Sequence, residues 1–176
     1  MHDKAYYIDL RNKYRPSKIK LTFVLESPPV SGKYFYDPKG KTSEPLFSAM
    51  MKVIGHKPAT KEDGLFAFSK TGFFLVNATY SPVNHLKSMK KRNGAILADL
   101  PELIQDLKHT LGNQRVKVVL VKANICRLLE EPLKSAGFRV INNGAVVPFP
   151  SHNHQANFQE NIKKVLREAK IGAWSG

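Results

Sequence analysis

Three separated stretches of this 176-residue chain gather polar side chains in patterns that chemistry can use. The first is Leu25-Glu26-Ser27-Pro28-Pro29, a carboxylate and a hydroxyl ahead of two consecutive prolines. Prolines fix φ and stiffen the turn, which can hold Glu26 and Ser27 at the edge of a sheet. Lys33 and then Tyr34-Phe35-Tyr36 follow. Three aromatics in an extended loop cannot all face one core, so at least one is expected at the surface, where it can stack on a planar ring. The second stretch is the apolar run Phe73-Phe-Leu-Val ending in Asn77, whose amide both donates and accepts. The third runs from Val146 to Asn157 and holds Ser151, His152 and His154. A histidine there can donate to an anionic leaving group.

Each stretch also has a structural reading. Glu26 can be a surface residue of a turn, the aromatics can cap a core, Asn77 can cap a helix, and 151–157 can cap the helix that follows. His152 and His154 have the spacing of alternate ligands on a strand, but no third ligand lies nearby and the single cysteine, Cys126, is distant, so neither a metal nor a cofactor is expected. There is no G-x-x-x-x-G-K-[ST], G-x-G-x-x-G or G-x-S-x-G pattern, which removes the usual support for nucleotide loops and hydrolase triads.

Composition narrows the partner. The chain has 28 Lys and Arg against 14 Asp and Glu, a net charge of +14, so a polyanion such as nucleic acid is the natural target. One cysteine cannot form an internal disulfide, no stretch approaches 18 apolar residues, and the first residues open no signal-peptide pattern. A cytoplasmic, monomeric protein is the expectation, without membrane contact.

The elements that must position these residues follow from periodicity. Residues 1–17 form an N-terminal helical extension, with a helix over 3–14 that Pro16 closes. Strands are expected at 20–25, 73–76, 116–121 and 138–142, from their apolar, partly β-branched runs. Helices are expected at 43–55, with Ser43 as N-cap and Gly55 as stop, and at 95–111, 123–136 and 155–170. Segments 27–42 and 78–92 read as loops. Strands alternating with helices give one domain over 1–176, a three-layer α/β/α sandwich around a central, mostly parallel four-stranded sheet. In such folds ligands bind at the carboxyl ends of the strands, which here carry 26–36, 77–86, 122–124 and 148–154.

Together these segments resemble the uracil-DNA glycosylase superfamily. Its members carry G-Q-D-P-Y, G-E-A-P-G or G-M-N-P-G after the first strand, an Asn ending a second strand, and H-P-S-P before the last helix. The counterparts here are Leu25-Glu26-Ser27-Pro28-Pro29, Phe73-Phe-Leu-Val-Asn77 and Phe149-Pro150-Ser151-His152. Asn153-His-Gln-Ala-Asn157 is similar to the R-N-P-Q-A-N of the single-strand-selective branch. The resemblance covers residues 18–168.

It implies a monofunctional DNA glycosylase, a repair enzyme that hydrolyses the N-glycosidic bond of a deaminated or damaged base in a flipped-out nucleotide. Asn77 would read the base's edge, and Phe35, between Tyr34 and Tyr36, would stack on it. Lys33, Lys87, Lys90, Lys91, Arg92, Lys122, Ser151 and His154 would hold DNA. Glu26, Ser27 and His152 are the candidates for activating water and assisting departure of the base. Two positions depart from the pattern: Ser27 stands where some branches have a water-activating Asp or Asn, and Phe149 stands where the family has His, displacing His152 by three residues. Those departures carry the second reading, a non-catalytic nucleic-acid-binding protein of the same fold.

Overall fold

The computed structural model describes residues 2–112 and 115–171. Four apolar runs become parallel strands: β1 Leu21–Leu25, β2 Phe73–Asn77, β3 Lys117–Leu120 and the two-residue β4 Arg139–Val140. Their order is β2-β1-β3-β4, and every pairing is parallel. Helices cover both faces of the sheet, which is the three-layer α/β/α arrangement expected. All five residues of β1 and of β2 are buried, as continuous apolar strands between two helical layers should be.

The helices are α1 Lys4–Lys13, α2 Pro45–Ile54, α3 Lys61–Lys70, α4 Met89–Ala98, α5 Leu100–Leu111, α6 Ala123–Ser135 and α7 Gln155–Glu168, the last preceded by a 3₁₀ turn over His152–His154. Four details differ from expectation. Helix α3 lies in a stretch for which the sequence predicts no element. It starts at Thr60, whose hydroxyl accepts from the Asp63 N–H, and packs Leu65 and Phe68 into the core. Gly64 lets α3 approach α2 closely, since a Cβ there would lie 2.4 Å from the ring of Phe47.

The 95–111 helix is in fact two, broken at Asp99 because Pro101 has no N–H to continue the ladder. Its first part begins at Met89, inside the stretch that reads as a loop, with the Ser88 hydroxyl capping Lys91 N–H. Helix α2 is preceded by Glu44 rather than Ser43, has no side-chain cap, and ends at Gly55 with φ 69°.

Helix α1 is joined to the body of the fold. Tyr7 and Arg11 are buried, and Arg11 grips Asp106 of α5 through two hydrogen bonds of 2.6 and 2.9 Å while donating to the Tyr80 hydroxyl at 2.7 Å. At the other edge Asn142 replaces strand pairing: its amide accepts from Leu120 N–H at 2.7 Å and donates to the Leu120 and Ala145 carbonyls. This fixes the chain that returns to the carboxyl end of β3.

Candidate functional site

At the carboxyl ends of β1, β2 and β3 lies a cavity of about 370 Å³. Its lining comes from all three stretches singled out above: Glu26, Ser27, Lys33, Tyr34 and Phe35 from the first, Asn77 from the second, Phe149 and His152 from the third, with Lys122 from the end of β3. Asn77 and Leu75 are two residues apart on β2 and so share the face turned to the cavity. Asn77 is only 4% exposed, and its Oδ1 is buried without a hydrogen-bond partner. A buried acceptor left unpaired costs about 1–3 kcal/mol, which a ligand N–H would recover.

The aromatic triplet is placed differently from expectation, because all three rings are buried. Phe35 lines the cavity while backed by Phe47 and Phe68 at centroid distances of 5.9 and 5.1 Å. Tyr34 also lines it and meets Tyr7 of α1 edge-on at 4.9 Å. Tyr36 lies behind the wall, accepting from Leu75 N–H at 2.8 Å and packed against Phe74 and Tyr14, so it is no candidate for stacking on a ligand. The loop's position is set from beneath by Lys61, which donates to the Tyr34 carbonyl and to Glu44, each at 2.7 Å. Burial pushes the Lys61 ammonium below the ordinary lysine range, and Glu44 pulls it partly back.

Glu26 is nearly enclosed at 6% exposure. Its Oε2 accepts from Lys122 Nζ and its Oε1 from Asn124 Nδ2 at 2.8 Å, with Arg92 Nε 4.0 Å away. Each oxygen is therefore already committed to a protein donor. Ser27 Oγ accepts from Val83 N–H at 3.2 Å, and Asn84 Oδ1 accepts from Val30 N–H at 3.0 Å. These two bonds staple the proline turn to the loop after β2. Asn124, Asn84 and Lys61 do not stand out in the sequence. Each acts through a long-range hydrogen bond that leaves no local pattern.

His152 is exposed, opens the 3₁₀ turn and lines the cavity. The remaining candidates stand outside. Ser151 is half-buried, with its carbonyl accepting from His154 N–H, and the His154 side chain is exposed. Lys90 and Lys91 are exposed in the first turn of α4 and Lys87 just ahead of it, while Lys33 is exposed at the cavity itself. Arg92 is turned inward instead: its Nη2 donates to the Leu86 carbonyl at 2.8 Å and the Asn84 carbonyl at 3.3 Å, so it braces the loop rather than offering itself to a phosphate. Gln155 ties the start of α7 to the Pro45 and Pro150 carbonyls beside the cavity.

Among the described residues no three His, Cys, Asp or Glu side chains converge as metal ligands, and no helix is long and apolar enough to cross a membrane. No protein-family model matches the chain, and comparison with curated proteins finds no match. The geometry suits a flat ring with a polar edge: an aromatic wall at Phe35, a free acceptor at Asn77, and ammonium groups at Lys33 and Lys122 for negative charge.

Proposed function

We propose that this protein is a monofunctional DNA glycosylase that hydrolyses the N-glycosidic bond of uracil or a related deaminated or damaged base. The observation that carries this reading is the unpartnered Oδ1 of Asn77 in the same cavity as Phe35 and Lys122. A base swung out of the stack needs its hydrogen-bonding edge read and its ring held, and Asn77 and Phe35 offer those two contacts. The resemblance of the three motifs to the uracil-DNA glycosylase superfamily supports the same reading, as does the net charge of +14. Exposed Lys33, Lys87, Lys90 and Lys91 would meet phosphates, and Ser151 and His154 would meet the strand beside the 3₁₀ turn. Glu26 and Ser27 orient the attacking water, with His152 assisting from the rim. The enzyme acts without a cofactor, as a monomer, on nucleoid DNA in the cytoplasm.

A second reading has its own observation. Both oxygens of Glu26 are held by protein donors, Ser27 Oγ already accepts a bond, and Phe149 is apolar. A site so arranged favours a protein of the same fold that binds nucleic acid without breaking it.

The deciding experiment is excision from labelled single- and double-stranded oligonucleotides carrying uracil, hydroxymethyluracil or hypoxanthine, followed by alkaline cleavage at abasic sites. Release of one base establishes the glycosylase and its substrate. No abasic site on any oligonucleotide, with salt-sensitive binding retained, establishes the binding protein.

A further inference from the structure

Lys122 follows β3 with φ 90° and ψ 135°, a left-handed-side conformation that a residue with a Cβ adopts only under strain of about 1–3 kcal/mol. The conformation is held from both ends. Its backbone N–H donates to the Val147 carbonyl at 2.8 Å, and its Nζ donates to Glu26, itself fixed by Asn124. Among the described residues Glu26 is the one hydrogen-bond partner of this ammonium, so two of its three N–H donors are uncommitted in a residue that lines the cavity. The Lys122 side chain is 27% exposed, which shields it from water more than the surface lysines are shielded. Phe149, in the same lining, has neither a proton nor a charge to offer.

We propose that Lys122 is the catalytic residue that stabilises the departing base, a role distinct from phosphate binding. This rests on the glycosylase reading. When the C1′–N bond breaks, its electron pair leaves with the base, which becomes an anion. The oxygen of water forms the new bond to C1′, and the water's proton reaches the departed base through solvent. Lys122 keeps its proton throughout and supplies positive charge where negative charge develops, an interaction stronger in the transition state than in the ground state. Glu26, besides its part in orienting water, then holds the ammonium in place against the backbone strain.

The test compares single-turnover release of uracil and of 5-fluorouracil, whose electron-withdrawing fluorine makes it the better leaving group. Wild type, Lys122→Met and Lys122→Arg are measured, together with DNA affinity. Lys122→Met is expected to slow uracil release about 100-fold or more and 5-fluorouracil release about tenfold or less, with Lys122→Arg within about tenfold of wild type on both and DNA affinity nearly unchanged. An equal loss on the two bases, or a loss confined to DNA affinity, overturns this role and leaves the glycosylase reading standing. A wild-type protein that releases neither base overturns this role, and one that releases no base from any oligonucleotide of the panel above overturns the glycosylase reading as well. Lys122→Met strands the enclosed Glu26 carboxylate, so Lys122→Met/Glu26→Gln is run alongside; if the single variant unfolds, the same inequality is read from the double variant.

Discussion

Leu25 and Asn77 are the last parallel partners of β1 and β2, and the backbone pairing continues beyond them. Ala78 N–H donates to the Leu25 carbonyl at 2.7 Å and Thr79 N–H to the Glu26 carbonyl at 3.0 Å. The chain carrying Glu26 and the chain carrying Asn77 are thus locked side by side, about 4.8 Å apart as neighbouring strands are. Neither residue can drift from the cavity without breaking the sheet's end.

This rigidity makes Asn77→Ala a clean probe. Removing one preorganised polar contact to the reacting group is expected to slow excision about 10²–10³-fold. Because Oδ1 has no partner in the free protein, that atom takes no hydrogen bond with it, and thermal stability and duplex affinity should hold. Excision at the wild-type rate would remove Asn77 from the mechanism.

Salt dependence separates the exposed lysines from Arg92. Replacing Lys90 or Lys91 by Ala is expected to weaken DNA binding on every sequence and to lower the slope of log K against log salt by about 1 for each phosphate that is no longer neutralised. Arg92→Ala should instead lower thermal stability, since Arg92 braces the Asn84 and Leu86 carbonyls. Fluorescence anisotropy at several salt concentrations, beside a melting curve, distinguishes the two behaviours.

The Arg11–Asp106 pair is the stability test. Arg11 is 2% exposed, so Asp106→Ala would leave a buried guanidinium without its counter-charge, and such a change costs about 3–5 kcal/mol. Urea unfolding gives the value. A change under about 1 kcal/mol would mean that water reaches Arg11 and that α1 is held by its other contacts, among them the Arg11 bond to the Tyr80 hydroxyl.

Alkaline pH should loosen the fold through its tyrosines. Burial holds the Tyr34 and Tyr36 phenols well above the ordinary range and pushes Tyr80 up to about 12, although Arg11 opposes the shift. In the unfolded chain they ionise near pH 10, so above that pH the unfolded state sheds protons that the folded state keeps. Their contribution is fully present below pH 10 and declines as pH rises beyond it, over about pH 10 to 12 for Tyr80 and further still for Tyr34 and Tyr36. Urea midpoints across this window should fall, and Tyr80→Phe should fall less steeply. A level profile would contradict it.

Much of this architecture is legible in the chain. The runs Leu21–Leu25 and Phe73–Asn77 are apolar over nearly their whole length, so burial between two layers and parallel pairing follow directly. The strand-end rule then brings Glu26, Asn77 and Lys122 to one edge before any side chain is placed. The elements that the sequence conceals have little periodicity to show. Helix α4 buries Ile96 alone, and its lysine-rich start resembles a loop. Helix α3 announces itself only through Thr60 and Asp63, a capping pair. Without α3 the aromatic triplet is misread: Phe68 of α3, with Phe47 of α2, covers Phe35, so a loop expected to expose a ring is buried. Arg92 looks like a phosphate ligand for a related reason, since only the folded backbone shows two carbonyls waiting for it.

The grip of Arg11 on Asp106 spans 95 residues of sequence, so it can form only once α5 has been made. During synthesis α1 emerges well before its anchor, since Asp106 lies 95 residues beyond Arg11. A contact this distant in sequence must close a long loop before it contributes anything. Tyr7 can meet Tyr34 across a much shorter stretch of chain, but the helix that carries it stays without its buried ion pair until α5 is made. A nascent chain stalled before α5 would present β1 and β2 without the Asp106 anchor of α1 and without Lys122, Phe149 and His152 of the cavity lining.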